Sequence, residues 1–344
     1  MGYILNKDTF SKALEKLKDE YIIYAPVLYE KGANFSGMDL VRYGIVNAAE
    51  EIVFDKKSAN SYKEALHAPS QTLFYFTEDE VQEAKTGAKK TLVFLRSCDI
   101  HGLKRLDDVM IKNGEPDYFY ERMRKNIRFA LMPCKSAFEN CFCVDMKTNQ
   151  IEDYDFSVEK DGDEYKINCR AEDMSKIFAG GAGGKETKVT VPFVSETQTR
   201  VNIPAALAGA PASALAALPL WDEYDGRCIN CGRCTFGCPS CSCWTMQDMF
   251  YTDNGSAGER RRVWASCMVD GYSDVAGGGS YRKKNGERMR FKVLHKIYDH
   301  QKRFGYPMCT GCGRCDDVCP EYISFSNAIN KLSAALAQSD KGGL

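Results

Sequence analysis

Cys228, Cys231, Cys234 and Cys238, followed by Pro239, spell C-x2-C-x2-C-x3-C-P, and Cys309, Cys312, Cys315, Cys319 and Pro320 spell it again. An iron–sulfur cube needs soft thiolates around one small volume, and two-residue spacers let a tight loop wrap three of them about one face. In a two-cluster arrangement the fourth thiolate of each run reaches the neighbouring cube, with proline stopping a helix behind it. The pattern assigns Cys228, Cys231, Cys234 and Cys319 to one [4Fe–4S] cluster, and Cys309, Cys312, Cys315 and Cys238 to the other. Zinc sites pair two CxxC knuckles or mix in histidine, so a zinc-binding interaction module is the lesser reading. Electron transfer is the chemistry expected.

Eight further cysteines lie outside the two motifs. Cys98 and Cys134 fall at the ends of two expected strands joined by a helix. A right-handed crossover puts the loops after both strands at one sheet edge, where open α/β sheets bind ligands. Cys141 and Cys143 follow on the loop leaving the second strand, so four thiols could converge on a third [4Fe–4S] cluster. Their alternative is to be small buried hydrophobes. Cys241, Cys243 and Cys267 lack an obvious fourth partner and are expected to pack beside the motif cysteines. Cys169 is expected to be structural.

The elements that must position these thiols read as follows. A helix is expected over 8–20, capped by Asp8 or Thr9, with Phe10, Leu14 and Leu17 on one face. Strands are expected at 21–29, 71–76, 91–99, 127–134, 163–169 and 188–194, with a helix over 101–112. The strand–helix–strand run predicts partly parallel structure. The fold class is α+β, an N-terminal α/β domain (1–200), a Pro- and Ala-rich linker (201–220) and a two-cluster ferredoxin-like domain (221–344). The motifs stand 71 positions apart, from Cys238 to Cys309, so a long insertion (about 245–305) separates them.

With 344 residues, 44% hydrophobic and 27% charged, the composition is that of a globular chain rather than a disulfide-stapled secreted one. The opening MGYILNKDTF has no apolar signal core and no run of eighteen apolar residues occurs, so a cytoplasmic location without membrane insertion is expected. The net charge of −1 gives no pointer to nucleic acid. Between Ser256 and Arg303, however, twelve Lys and Arg face five acids, a local excess of +7 that reads as a solvated face or a docking patch for an acidic partner. GGAGGKET (180–187) fails as a P-loop, with Ala179 where a glycine is needed and Glu186 where a hydroxyl is needed, and no G-x-G-x-x-G follows a strand. Arg233 and Arg314, one in each CGRC tetrad, are expected to raise cluster potentials, and His101 is expected near Cys98 and Asp99.

Beyond spacing, the words SCDIHGLKRLD, ENCFCVDM, LWDEYDGRCINCGRCTFGCPSCSCW, GERRRVWASCM and MCTGCGRCDDVCPEYISFS carry a family likeness over nearly the whole chain. They resemble the ferredoxin-like iron–sulfur subunit of the anaerobic sulfite reductase. More distantly they resemble the β subunits of cytoplasmic NiFe sulfhydrogenases. One departure is Ser280, after Gly277-Gly278-Gly279, where that family often has histidine. The resemblance implies a non-catalytic relay in a complex that reduces sulfite to sulfide. Its partners would be a flavin subunit oxidising NADH and a sirohaem subunit holding sulfite.

Overall fold

A computed structural model describes residues 1–32, 37–85, 87, 89–181 and 183–342. The N-terminal half runs β1 (Gly2–Asn6), α1 (Lys7–Glu20), β2 (Tyr21–Tyr29), β3 (Leu40–Ile45), β4 (Ser70–Phe76), β5 (Val81–Glu83) and β6 (Lys90–Leu95). It continues through α2 (Ser97–Met110), α3 (Tyr118–Arg124), β7 (Ile127–Leu131), β8 (Phe156–Asp161), β9 (Glu164–Cys169), α4 (Glu172–Lys176) and β10 (Lys185–Glu186). Eight of these strands form one mixed sheet in the order β10-β1-β9-β8-β7-β6-β2-β3, with β6 parallel to both β2 and β7.

Successive strand residues face opposite sides, and in β6 both sides are buried, so LVFL is apolar throughout rather than alternating. Leu92 and Phe94 pack with Phe10, Leu14 and Leu17 of α1 on one face. Val93 and Leu95 pack with Ile100, Leu103 and Leu106 of α2 on the other. The cap of α1 is Asn6 rather than Asp8 or Thr9, its side chain accepting from the Thr9 N–H at 2.9 Å. The expected strand at 188–194 does not form. The chain crosses β1 there, where Thr187 N–H donates to the Gly2 carbonyl, and Pro192 removes a ladder donor.

The C-terminal half contains α5 (Ala212–Ala216), α6 (Glu223–Arg227), α7 (Arg233–Phe236), β11 (Trp244–Phe250), β12 (Gly258–Trp264), the short pair β13 (Asp274–Val275) and β14 (Gly279–Ser280), α8 (Asn285–Leu294), α9 (His300–Phe304), α10 (Arg314–Asp317) and α11 (Phe325–Gly342). Its core gathers Trp221, Tyr224, Val293, Ile297, Ala328, Ile329 and Leu332. The Pro- and Ala-rich stretch contributes to it, since Leu207 and Leu215 are buried there and the Leu215 carbonyl accepts from the Trp221 indole at 2.9 Å. A wide π-turn follows α8, and the Lys296 carbonyl within it accepts from the N–H groups of Met308 and Cys309, seating the start of the second motif.

The halves interleave. Strand β12 of the insertion pairs with β4 of the N-terminal half, giving a four-stranded sheet β11-β12-β4-β5. Lys63 reaches across to donate to the carbonyls of Thr235 and Cys241 and lies 4.4 Å over the Trp264 ring. Buried Arg262 donates to Asp117 at 2.8 Å and to Gln71 at 3.1 Å. Removing it leaves Asp117 without its cation, at roughly 1–3 kcal/mol. Arg262→Ala is therefore expected to lower the urea midpoint of the anaerobic protein with little change in slope. An unchanged midpoint would show that the seam does not depend on this arginine.

Candidate functional site

Both motif loops adopt the same backbone. In Cys228–Gly232 the left-handed residues are Asn230 (φ 60°) and Gly232 (φ 74°), and in Cys309–Gly313 they are Gly311 (φ 64°) and Gly313 (φ 71°). Each loop thus turns sharply twice before a one-turn helix, α7 or α10, which aims its thiols at one point. Gly313 is needed twice over, because a Cβ there would strike the Asn140 carbonyl.

Two adjoining cavities receive the motif thiols. The first is lined by Cys228, Cys231, Cys234, Cys315 and Cys319, with Met268, Met289, Ile323, Phe325 and Lys292. The second is lined by Cys234, Cys238, Cys309, Cys312 and Cys315, with Phe142, Phe325, Lys292 and Lys296. Cys319 thus lies with the first loop and Cys238 with the second, while Cys234 and Cys315 stand between the two cavities. The donors are almost entirely sulfur, set among apolar walls. Among the described residues no three Cys, His, Asp or Glu side chains gather closely enough to hold a single metal ion. Thiols spread around a volume suit a cube better than a zinc ion, which draws its sulfurs to about 2.3 Å.

The region 227–323 matches the family described as a 4Fe-4S dicluster domain. Over 354 aligned positions the chain is 27% identical to the sulfhydrogenase 2 subunit beta of Pyrococcus furiosus, covering 98% of this chain and all of that protein. The chain is an iron–sulfur electron-transfer protein with two [4Fe–4S] clusters. Its architecture is α+β, with the dicluster domain following the N-terminal sheet.

Four more thiols lie near Cys312 and the second cavity. Cys98 lies in the first turn of α2, since the strand ends at Leu95 rather than running to Asp99, and Cys134 lies just past β7. Cys141 Sγ is 3.5 Å from the Cys312 carbonyl, and the Phe142 N–H donates to the Gly311 carbonyl, so this loop is laid directly on the second motif. Burial, reinforced by neighbouring thiols, pushes the Cys143 thiol up to about 12, while burial only partly offset by the Lys57 ammonium takes Cys141 up to about 11. Lys57 Nζ is 3.9 Å from Cys141 Sγ and pairs with Asp317 at 2.5 Å, and Arg96 Nη1 is 3.9 Å from Cys134 Sγ.

Of the remaining thiols, Cys241 lies beside Cys238 and Cys243 beside Cys267, which lies 3.9 Å from the Thr235 hydroxyl. They pack around ligand-side sulfur. Cys169 lies in the sheet core, its thiol 3.2 Å from the Ala171 carbonyl. His101 turns from Cys98 to the Gln150 carbonyl at 2.8 Å and to Arg105, and burial lowers it to about 4, keeping it neutral near pH 7.

Charge is where the sequence reading needs correction. Arg233 is exposed, so water screens it. Arg314 is buried but grips Asp99 through two hydrogen bonds of 2.6 and 3.0 Å, which cancels its charge. The basic insertion is not a single solvated face either. Arg260, Arg261, Arg262 and Arg288 pair with Asp248, Glu259, Asp117 and Asp270 respectively. Lys292 and Lys296 are buried against the cavities. Burial opposes the Lys292 ammonium, yet the thiolates of Cys234 and Cys315 outweigh it and hold its pKa well above the ordinary value. No spacing rule announced these two lysines, although their i,i+4 separation between the motifs was a signal.

Gly313→Ala is expected to cost the second motif its loop geometry and to reduce bound iron by roughly half of the dicluster complement, read as iron and acid-labile sulfide per chain. Full retention of iron would mean that the Asn140 loop gives way.

Proposed function

We propose that this chain is the electron-transfer subunit of a cytoplasmic hydrogenase-type complex, carrying electrons along three adjoining [4Fe–4S] sites. Cys228, Cys231, Cys234 and Cys319 would hold the first cluster, and Cys309, Cys312, Cys315 and Cys238 the second. Cys98, Cys134, Cys141 and Cys143 would hold the third. The observation that carries this reading is adjacency: the first two cavities share Cys234 and Cys315 as a wall, and the third thiol set touches the second through Cys141 and Cys312. A zinc module has no need of such contiguity.

The clusters, when bound, supply one-electron transfer. The protein's own share is holding and insulating. Left-handed residues aim the thiols, Phe142, Met268, Met289 and Phe325 exclude water, and buried cations offset thiolate charge. Residues 1–200 would form the unit bearing the third site and 221–344 the dicluster unit, with 201–220 packed into the core of the latter.

The hydrogenase reading is preferred because similarity to a sulfhydrogenase β subunit runs from end to end. The sulfite-reductase reading rests on the shared words around the cysteines. Its partners would be flavin and sirohaem subunits, against a nickel-bearing subunit for the hydrogenase. Affinity capture of the tagged chain from its own cells under anaerobic conditions is expected to bring down nickel and hydrogen-oxidising activity. Sirohaem absorbance without nickel would reverse the choice.

For the third site, the intact chain is expected to hold about twelve irons and Cys141→Ser about eight. Equal iron in the two proteins, near eight, would reduce Cys98, Cys134, Cys141 and Cys143 to packing thiols.

A further inference from the structure

Lys292 and Lys296 are buried cations that line the sulfur-bearing cavities themselves. Each is only 3% exposed. Among the described residues neither has a carboxylate within ion-pair distance, whereas Arg314 has Asp99, Lys57 has Asp317 and Arg288 has Asp270. Lys296 Nζ donates to the Ser240 hydroxyl at 3.0 Å, and the Lys292 ammonium has the Phe325 ring at 5.8 Å. Lys292 lines both motif cavities, and Lys296 lines the second alone.

An ammonium buried without an anion is costly enough that such groups shed their proton or acquire a partner. Here the facing groups are cysteine sulfurs, and a cube ligated by four thiolates is an anion. On reduction it gains one more negative charge, so a fixed cation nearby favours the reduced form. Local charge and burial are among the factors that set cluster potentials.

We propose that Lys292 and Lys296 are the counter-charges of the two dicluster sites and set their reduction potentials, Lys292 acting on both and Lys296 on the second. They are positioning residues, since neither ligates. The π-turn after α8 holds Lys296 while its own carbonyl seats Met308 and Cys309. Position and polarity are therefore built by the same turn. The inference rests on the cysteine assignment above, which the iron content of the unaltered protein tests separately.

The experiment is a redox titration of the anaerobically purified full chain, followed by paramagnetic resonance, on the unaltered protein and on Lys292→Met, Lys292→Arg and Lys296→Met. Methionine keeps the length and apolar stem while removing the charge. Lys292→Met is expected to lower the midpoints of both dicluster couples. A tenfold fall in the reduced-to-oxidised ratio at fixed poise corresponds to about 59 mV for a one-electron couple. Lys296→Met is expected to lower one couple only, and Lys292→Arg to keep the original values. Unchanged midpoints in Lys292→Met with full iron would overturn the proposal, as would Lys292→Arg shifting as far as Lys292→Met. Should Lys292→Met fail to retain iron, restoration by Lys292→Arg supports a requirement for charge, and failure to restore counts against it.

Discussion

The ion pair between Arg314 and Asp99 is the joint on which the arrangement of thiols depends. It links α2 of the N-terminal sheet to the second cysteine motif, with both side chains almost completely removed from water. Such a pair gives little net stability, because desolvation consumes most of the attraction, but breaking it leaves a bare charge in the interior. Its value here is registration. Asp99 follows Cys98, Arg314 sits between Cys312 and Cys315, and Arg314 also donates to the Ser58 carbonyl. Helix α2 meets the first motif as well, where Gly102 lets Pro239 approach so closely that any side chain would collide. One helix therefore sets the spacing of all three thiol groups.

A second theme is the direction in which positive charge points. Read along the chain, the insertion is a basic stretch of the kind that usually faces solvent. Folded, four of its arginines pair with acids, and Lys292 and Lys296 are turned inward to the sulfur-lined cavities. An electrostatic patch and an electrostatic lining have the same composition, and only packing tells them apart.

Much of the site was legible in the sequence because cluster ligation is written in short spacings. The two cysteine runs follow from local spacing, and the structure lines two adjoining cavities with them, Cys319 falling with the first loop and Cys238 with the second. Crossover topology suggested that Cys98, Cys134, Cys141 and Cys143 would converge, and that they hold a cluster is a proposal. Helix α1 and strands β2, β4 and β9 were likewise visible from period. What stayed hidden was long-range. Nothing local says that β12 will pair with β4, that Asp99 will neutralise Arg314, or that the stretch holding Leu207 and Leu215 will pack as core rather than span a gap. The expected strand at 188–194 failed for a similar reason, as apolar alternation cannot report whether a sheet edge is open to receive it.

The 71-position separation of Cys238 and Cys309 also bears on how the chain is made. Translation at about 5–20 residues per second leaves the first loop outside the ribosome for roughly 4–14 s before the second begins to emerge. During that interval Cys228, Cys231 and Cys234 have no fourth partner, since Cys319 is still unsynthesised. As the sites are proposed, neither can be completed before the second motif has been made, so the first loop alone cannot close a cluster.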